Sequence, residues 1–223
     1  MTRPRRSELK FFGTRAQRAG CCLKVGRAAT LLLALAAAAG AHAQCDPPDA
    51  RATRTPDAAQ MNEAEALYLP TPHHAVEAML RLAQVSARDV VYDLGSGDGR
   101  IPIAAARTHG ARAVGIELDG RMIRRARCNA LEAKVSNLVE FRQGDLFLVN
   151  LREATVVTLF LFPEMNQRLL PKLLAELRPG ARIVSHRFGL GDWAPQQKIE
   201  AGGNPVFMWT VPAAGAPPPG KAD

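Results

Sequence analysis

Apolar positions along the chain fall into short blocks whose spacing alternates between helical and extended from about residue 60 onward. Val76, Met79, Leu80 and Ala83 recur at helical spacing and form one buried face. Thr71 and Pro72 stand just ahead of them, a hydroxyl suited to an N-cap and a proline suited to the first helical position. DVVYDL (89–94) is a short apolar run closed by glycines, and so a strand. IPIAAARTHG (101–110) reads as a helix stopped by Gly110. RAVGIEL (112–118) is a second strand, followed by an Arg- and Ala-rich helix over about 119–133. LVEFRQ (138–143) and ATVVTLFL (154–161) are the third and fourth strands. Leu169, Leu170, Leu173, Leu174 and Leu177 stripe a helix that Pro171 is expected to kink or restart. ARIVSHRF (181–188) is the fifth strand. QQKIE (196–200) and PVFMWTV (205–211), joined by AGGN (201–204), read as a hairpin.

Strands separated by helices imply crossover connections and a mostly parallel sheet covered on both faces. A terminal hairpin adds antiparallel strands at one edge. The expected architecture is α/β, a three-layer sandwich with a C-terminal antiparallel hairpin, in one domain over residues 60–212. Residues 44–59 read as a linker, and residues 213–223 as a disordered tail.

Charge alters the reading of the ends. The whole chain carries a formal net charge of +8, yet residues 1–43 hold eight basic residues and one acidic one. The remainder is close to neutral, and a phosphate-tracking surface needs clustered positive charge, so nucleic acid is not expected as a partner. Those first residues also contain an apolar run of 14 residues (28–41), ending in Ala41-His42-Ala43. That is shorter than the ~20 residues needed to span a bilayer, and it has the small residues a signal peptidase reads. A signal peptide cleaved after Ala43 is expected, with export to the periplasm and no stable membrane span; a cytoplasmic or membrane-tethered chain is the alternative. Gln44 before Cys45 argues against lipid attachment. Cleavage leaves Cys45 and Cys128, with no metal-binding spacing; free thiols are expected, with an intramolecular disulfide in an oxidising compartment as the alternative.

The informative segment is VVYDLGSGDGR. In open α/β sheets ligands bind outside the carboxyl ends of the strands, at the point where the strand order reverses. Gly95, Ser96, Gly97 and Gly99 sit in such a turn. A dinucleotide fingerprint wants a third glycine at the position Arg100 occupies, and Asp98 would repel a pyrophosphate. A loop opened by Asp93 suits a ligand with a positive end, and S-adenosylmethionine carries both an ammonium and a sulfonium. Glu117, ending the second strand, can accept from a ribose diol. Asp145, after the third, can accept from an adenine amine, with Leu146 as an apolar neighbour on the ring. Asp98 is equally suited to capping the following helix.

VVYDLGSGDGR, AVGIELD, FRQGDLF and ELRPGARIVSHRF together resemble the successive motifs of Rossmann-fold S-adenosylmethionine-dependent methyltransferases. More narrowly, YLPTP (68–72), DLGSGDGR (93–100) and RFGLGDW (187–193) resemble the lysine N-methyltransferases that modify the ADP/ATP carrier and the ATP synthase c subunit, and their bacterial relatives. The resemblance covers about residues 66–211. It implies that Asp93, Gly95, Gly97 and Gly99 hold the methionine part of the donor, Glu117 the ribose and Asp145 the adenine. It also implies a protein lysine as acceptor, and a first helix lying over the donor.

A lysine amine must lose its proton before it can attack, which calls for an acceptor or a desolvating site. Tyr68, Thr71 and His186 are the catalytic candidates; Phe162, Pro163, Arg187 and Trp193 are expected in the substrate pocket, and His73 and His74 in solvent. An exported binding module without turnover, a small-molecule methyltransferase and a nucleotide-dependent oxidoreductase are the competing readings.

Overall fold

The structure is a computed structural model and describes residues 69–213. The leader, the linker, Tyr68 and Cys45 lie outside the described residues. Helix α1 spans His73–Leu82, β1 Val90–Leu94, α2 Arg100–His109, β2 Arg112–Glu117 and α3 Gly120–Glu132. Then follow β3 (Val139–Gln143), β4 (Val156–Leu159), α4 (Pro163–Glu176), β5 (Arg182–His186), β6 (Gln197–Ala201) and β7 (Asn204–Thr210). The strands form one seven-stranded sheet in the order β3-β2-β1-β4-β5-β7-β6. β1 to β5 are parallel; β7 runs antiparallel to both β5 and β6. Strand order reverses at β1, which lies between β2 and β4, and a crevice opens there beyond the carboxyl ends.

The period-two alternation of the central strands sends side chains to two faces. Val91, Val156 and Val184 pack against Met79 and Leu80 of α1 and Ile101 of α2. Tyr92, Leu94, Val157, Leu159 and Ile183 pack on the other face with Leu169 and Leu173 of α4 and with Trp209. A third cluster joins Ile103 of α2 to Ile123 and Ala126 of α3 over Phe141. The three expected layers are therefore present.

Local chemistry explains most boundaries, and four expectations are corrected. Gly110, in the left-handed region at φ 66°, ends α2, and Asp119 caps α3 by accepting from the Arg121 amide at 2.8 Å. Gly202 and Gly203 have φ of 60° and 77° between the paired residues Ala201 and Asn204, a two-residue turn suited to a hairpin. Thr71, however, does not cap α1: Pro72 occupies the cap position and no side chain bonds the helix end. α4 runs through Pro171 as one helix rather than restarting, and Leu174 on its stripe is exposed. Strand β5 ends at His186, because Arg187 turns the chain at φ 68°. Cys128 is not a free thiol but is disulfide-bonded, its partner lying outside the described residues.

Candidate active site

The crevice at the carboxyl ends of β1, β2 and β4 is a cavity of about 630 Å³. Its first half is built by the glycine loop and two further strand ends. Gly95, Gly97 and Gly99 have φ of 83°, 50° and 81°, a run of left-handed backbone that side chains with a Cβ rarely adopt. The loop is fastened to β2, since the Gly95 and Ser96 amides donate to the Ile116 carbonyl. Glu117 then locks it from the side. Its Oε2 accepts from the Gly97 amide at 3.0 Å, while Oε1 accepts from the Leu118 and Asp119 amides at 2.7 and 3.0 Å. Asp145 is exposed at the rim, with Oδ1 accepting from the Phe147 amide at 2.8 Å.

Asp93 lies deepest of these acids, with 3% of its surface accessible. Burial pushes its carboxyl up to about 7, against the Thr158 hydroxyl bond that lowers it, with Glu117 and Asp98 adding like-charge repulsion. Three carboxylates on three successive strands thus face one crevice, Asp93, Glu117 and Asp145 all lining it. Two of them are held by backbone amides and so are fixed in position before any ligand arrives.

The other half is apolar. Phe160, Leu161 and Phe162 follow β4, Met165 lies on α4, and Phe188 follows β5; all line the cavity. Leu69, Pro70 and Thr71, the segment ahead of α1, close it from a third side together with Arg100 and Ile101. The cationic side chains in the lining include Arg168, stacked 4.2 Å from the Phe147 ring centroid, and Arg187, 5.6 Å from that of Phe188.

Of the residues singled out in the sequence, Thr71, Asp93, Gly95, Ser96, Gly97, Glu117, Asp145, Leu146, Phe162 and Arg187 meet in this cavity. Four do not. Gly99 is the cap residue of α2 and packs on Phe141, which a Cβ there would meet at 2.4 Å. Pro163 is exposed in the first turn of α4. Trp193 is buried in the core, 6.1 Å from the Trp209 ring, and its carbonyl accepts the Trp209 indole N–H at 2.8 Å. His186 points to the face that carries Val184, with 1% of its surface accessible and neither ring nitrogen hydrogen-bonded. Burial, with the charges of Arg187 and His74, lowers it to about 4, so it is neutral and removed from the cavity. It is not placed to act as a base. His73 and His74 are exposed, as expected.

Asp98 lies one residue ahead of the cap residue Gly99, and its Oδ1 accepts from the Arg100 amide at 3.3 Å at the start of α2. Its carboxylate takes both Nε and Nη2 of Arg100, at 2.9 and 2.7 Å. Residues that sequence reasoning did not single out are Thr158, hidden because a strand-interior threonine carries no motif, and Phe160, Leu161, Met165 and Phe188, which read simply as apolar.

Residues 93–197 match the profile of the ANTKMT methyltransferase domain. A protein-lysine N-methyltransferase of Saccharolobus islandicus is 43% identical over 149 residues, which are 65% of this chain and 92% of that protein. The chain belongs to this methyltransferase family. The adenine nucleotide translocase lysine N-methyltransferase of mouse is 38% identical over 66% of this chain, which spans 64% of the mouse protein's length. Among solved structures, the family member is similar to an RNA methyltransferase of Salinibacter ruber in complex with S-adenosylhomocysteine. That structure has a TM-score of 0.66 and 54% identity, and the match covers 70% of this chain and 100% of that one.

The lining fits S-adenosylmethionine. Asp93 is a buried carboxylate without a cationic partner in the cavity wall and suits an ammonium. Glu117 keeps oxygen lone pairs beside the glycine loop for a ribose diol. Leu146 and Phe147 flank Asp145 with apolar surface suited to an adenine ring.

Proposed function

We propose that this methyltransferase uses S-adenosylmethionine to N-methylate a lysine side chain of a protein. The observation that carries the reading is the 43% identity to a protein-lysine N-methyltransferase across nearly that protein's whole length, joined to a cavity of two unlike halves. Bound in the acidic half, S-adenosylmethionine supplies a methyl group activated by its sulfonium. The chain's own residues have two tasks. The carboxylates and the glycine loop would hold the donor beside the apolar half of the cavity. Phe160, Phe162, Met165 and Phe188 receive the acceptor there and exclude water. An ammonium loses hydration in such surroundings, so burial favours the neutral amine whose lone pair attacks. Deprotonation by desolvation agrees with the position of His186, which offers no base to the cavity.

A second reading is RNA methylation. It is favoured by the 54% identity to the Salinibacter RNA methyltransferase and by Arg168 and Arg187 in the lining. One experiment separates the two. The protein is incubated with methyl-labelled S-adenosylmethionine and a whole-cell extract, then treated with protease or nuclease. Label lost to protease and recovered as methyllysine supports the proposal; label lost only to nuclease overturns it.

The leader places this activity outside the cytoplasm under the reading that residues 1–43 are a cleaved signal peptide. Among the described residues no helix is long and apolar enough to cross a membrane. Mass spectrometry of the N-terminal peptide from whole cells tests this: a mature N-terminus at Gln44 supports export, and retention of the leader overturns it.

A further inference from the structure

We propose that Arg100 is a positioning residue that ties the segment ahead of α1, residues 69–72, across the mouth of the donor site, and that tight donor binding requires this tie. The inference rests on reading the cavity as the site of S-adenosylmethionine. Arg100 stands where a dinucleotide-binding loop has its third glycine, a position used there for close helix–strand packing. Here it carries the longest cationic side chain, which is directed away from the solvent and is 22% exposed. Nε and Nη2 make a two-bond fork to the Asp98 carboxylate at 2.9 and 2.7 Å, fixing the plane of the guanidinium. In that plane Nη1 reaches the Thr71 carbonyl at 2.8 Å. The glycine loop is thereby joined to a segment 29 residues earlier in the chain.

The joined segment forms part of the site. Leu69, Pro70 and Thr71 all line the cavity, and Leu69 is 61% exposed. The segment needs such a tie. Pro70 and Pro72 have no amide hydrogen to donate, and Thr71 makes no helix cap. Asp98 is itself held, because its carbonyl accepts from the Asn129 side chain at 2.8 Å. The chain of contacts therefore runs from Asn129 of α3 through Asp98 and Arg100 to Thr71 in the cavity lining. A lysine at position 100 has one ammonium and cannot match both the carboxylate fork and the carbonyl.

The test uses the full chain and S-adenosylhomocysteine. Calorimetry and steady-state kinetics are run on wild type, Arg100→Lys, Arg100→Gln, Asp98→Asn and the double variant Asp98→Asn/Arg100→Gln, with amide exchange followed in the peptide carrying residues 69–74. The expected result is graded: ~3-fold weaker binding in Arg100→Lys and ~10-fold in Arg100→Gln, about 1.4 kcal/mol. The donor KM rises more than kcat falls, exchange quickens in residues 69–74 but not in β1 or α2, and the double variant is no worse than Arg100→Gln. Binding within twofold of wild type in Arg100→Gln overturns the proposal. So does weaker binding with unchanged exchange in residues 69–74, or faster exchange throughout β1 and α2, which marks a role in folding alone. If the wild type fails to bind S-adenosylhomocysteine at all, the reading of the cavity falls and the proposal with it.

Discussion

Thr158 donates its hydroxyl to one oxygen of Asp93 at 2.7 Å, and the two side chains are buried side by side on β4 and β1. The bond favours the ionised carboxylate, opposing the burial that pushes Asp93 up to about 7. Thr158→Val keeps the shape and removes the donor. Asp93 then titrates higher still, so less of it is charged at neutral pH. Binding of S-adenosylhomocysteine at pH 7 is expected to weaken by roughly tenfold. The pH above which affinity levels off should move upward. Calorimetric titrations between pH 5.5 and 8.5 check both, and an unchanged profile would show that the hydroxyl leaves the acid's titration untouched.

Asp93 also links function to stability. Its carboxyl titrates near 7 in the folded chain against 3.8 in its unperturbed state. Between those values the folded chain binds more protons than the unfolded one, so stability falls as pH rises through the window and the full cost is present above it. Asp93→Asn removes the charge while still accepting from Thr158. The variant is expected to melt higher than wild type at pH 8 by an amount on the order of 2–4 kcal/mol, to match it at pH 4, and to lose donor binding. Thermal melts at both pH values, paired with calorimetry, test the trade.

These two residues show what could be read ahead of the structure. Asp93, Glu117 and Asp145 were legible because each lies at or just beyond the end of a strand, and strand ends in a parallel sheet must meet at one edge. The glycine spacing was legible because left-handed turns need glycine. Thr158 was not, since its partner lies 65 residues away and only sheet pairing brings them together. His186 and Trp193 misled for a related reason. Nearness to a strand end in sequence does not say to which face a side chain turns, and one residue's shift reverses the answer.

His186 makes the point measurable. It is buried with both ring nitrogens unpartnered and titrates near 4 rather than 6.5. Below its unperturbed value the unfolded chain takes up a proton that the folded chain refuses, so stability is lost as pH falls from 6.5 toward 4. His186→Leu is expected to keep methyl transfer at pH 7.5 within twofold of wild type, and to flatten the acid side of the stability profile. A hundredfold loss of kcat with an intact fold would restore His186 as a catalytic group.

Gly115 is tested by its missing side chain. A Cβ on it would meet Phe141 at 2.6 Å and the Ser96 hydroxyl at 2.7 Å. Phe141 is core and Ser96 belongs to the glycine loop, so neither gives way without moving the site. Gly115→Ala is expected to destabilise by about 1–3 kcal/mol, with weaker donor binding in the fraction that remains folded. Denaturant melts should show this, whereas Gly144→Ala, with open space at its Cβ, should be silent in the same assay.

Glu117 carries two duties that one substitution can separate. Its Oε2 fastens the glycine loop through the Gly97 amide, and its carboxylate lines the cavity where we propose that it accepts from a ribose diol. Glu117→Gln can keep one oxygen for the Leu118 and Asp119 amides, but its amide group then faces the Gly97 N–H, donor against donor. Loss of a bond to a charged acceptor lies in the range that weakens S-adenosylhomocysteine binding by roughly 10- to 100-fold. Comparison with the 2′-deoxy analogue divides that loss. The wild type should bind the analogue more weakly, and the variant should discriminate little between the two ligands. Whatever loss Glu117→Gln still shows on the analogue belongs to the displaced loop. Equal discrimination by wild type and variant would mean that Glu117 shapes the loop and never touches the sugar.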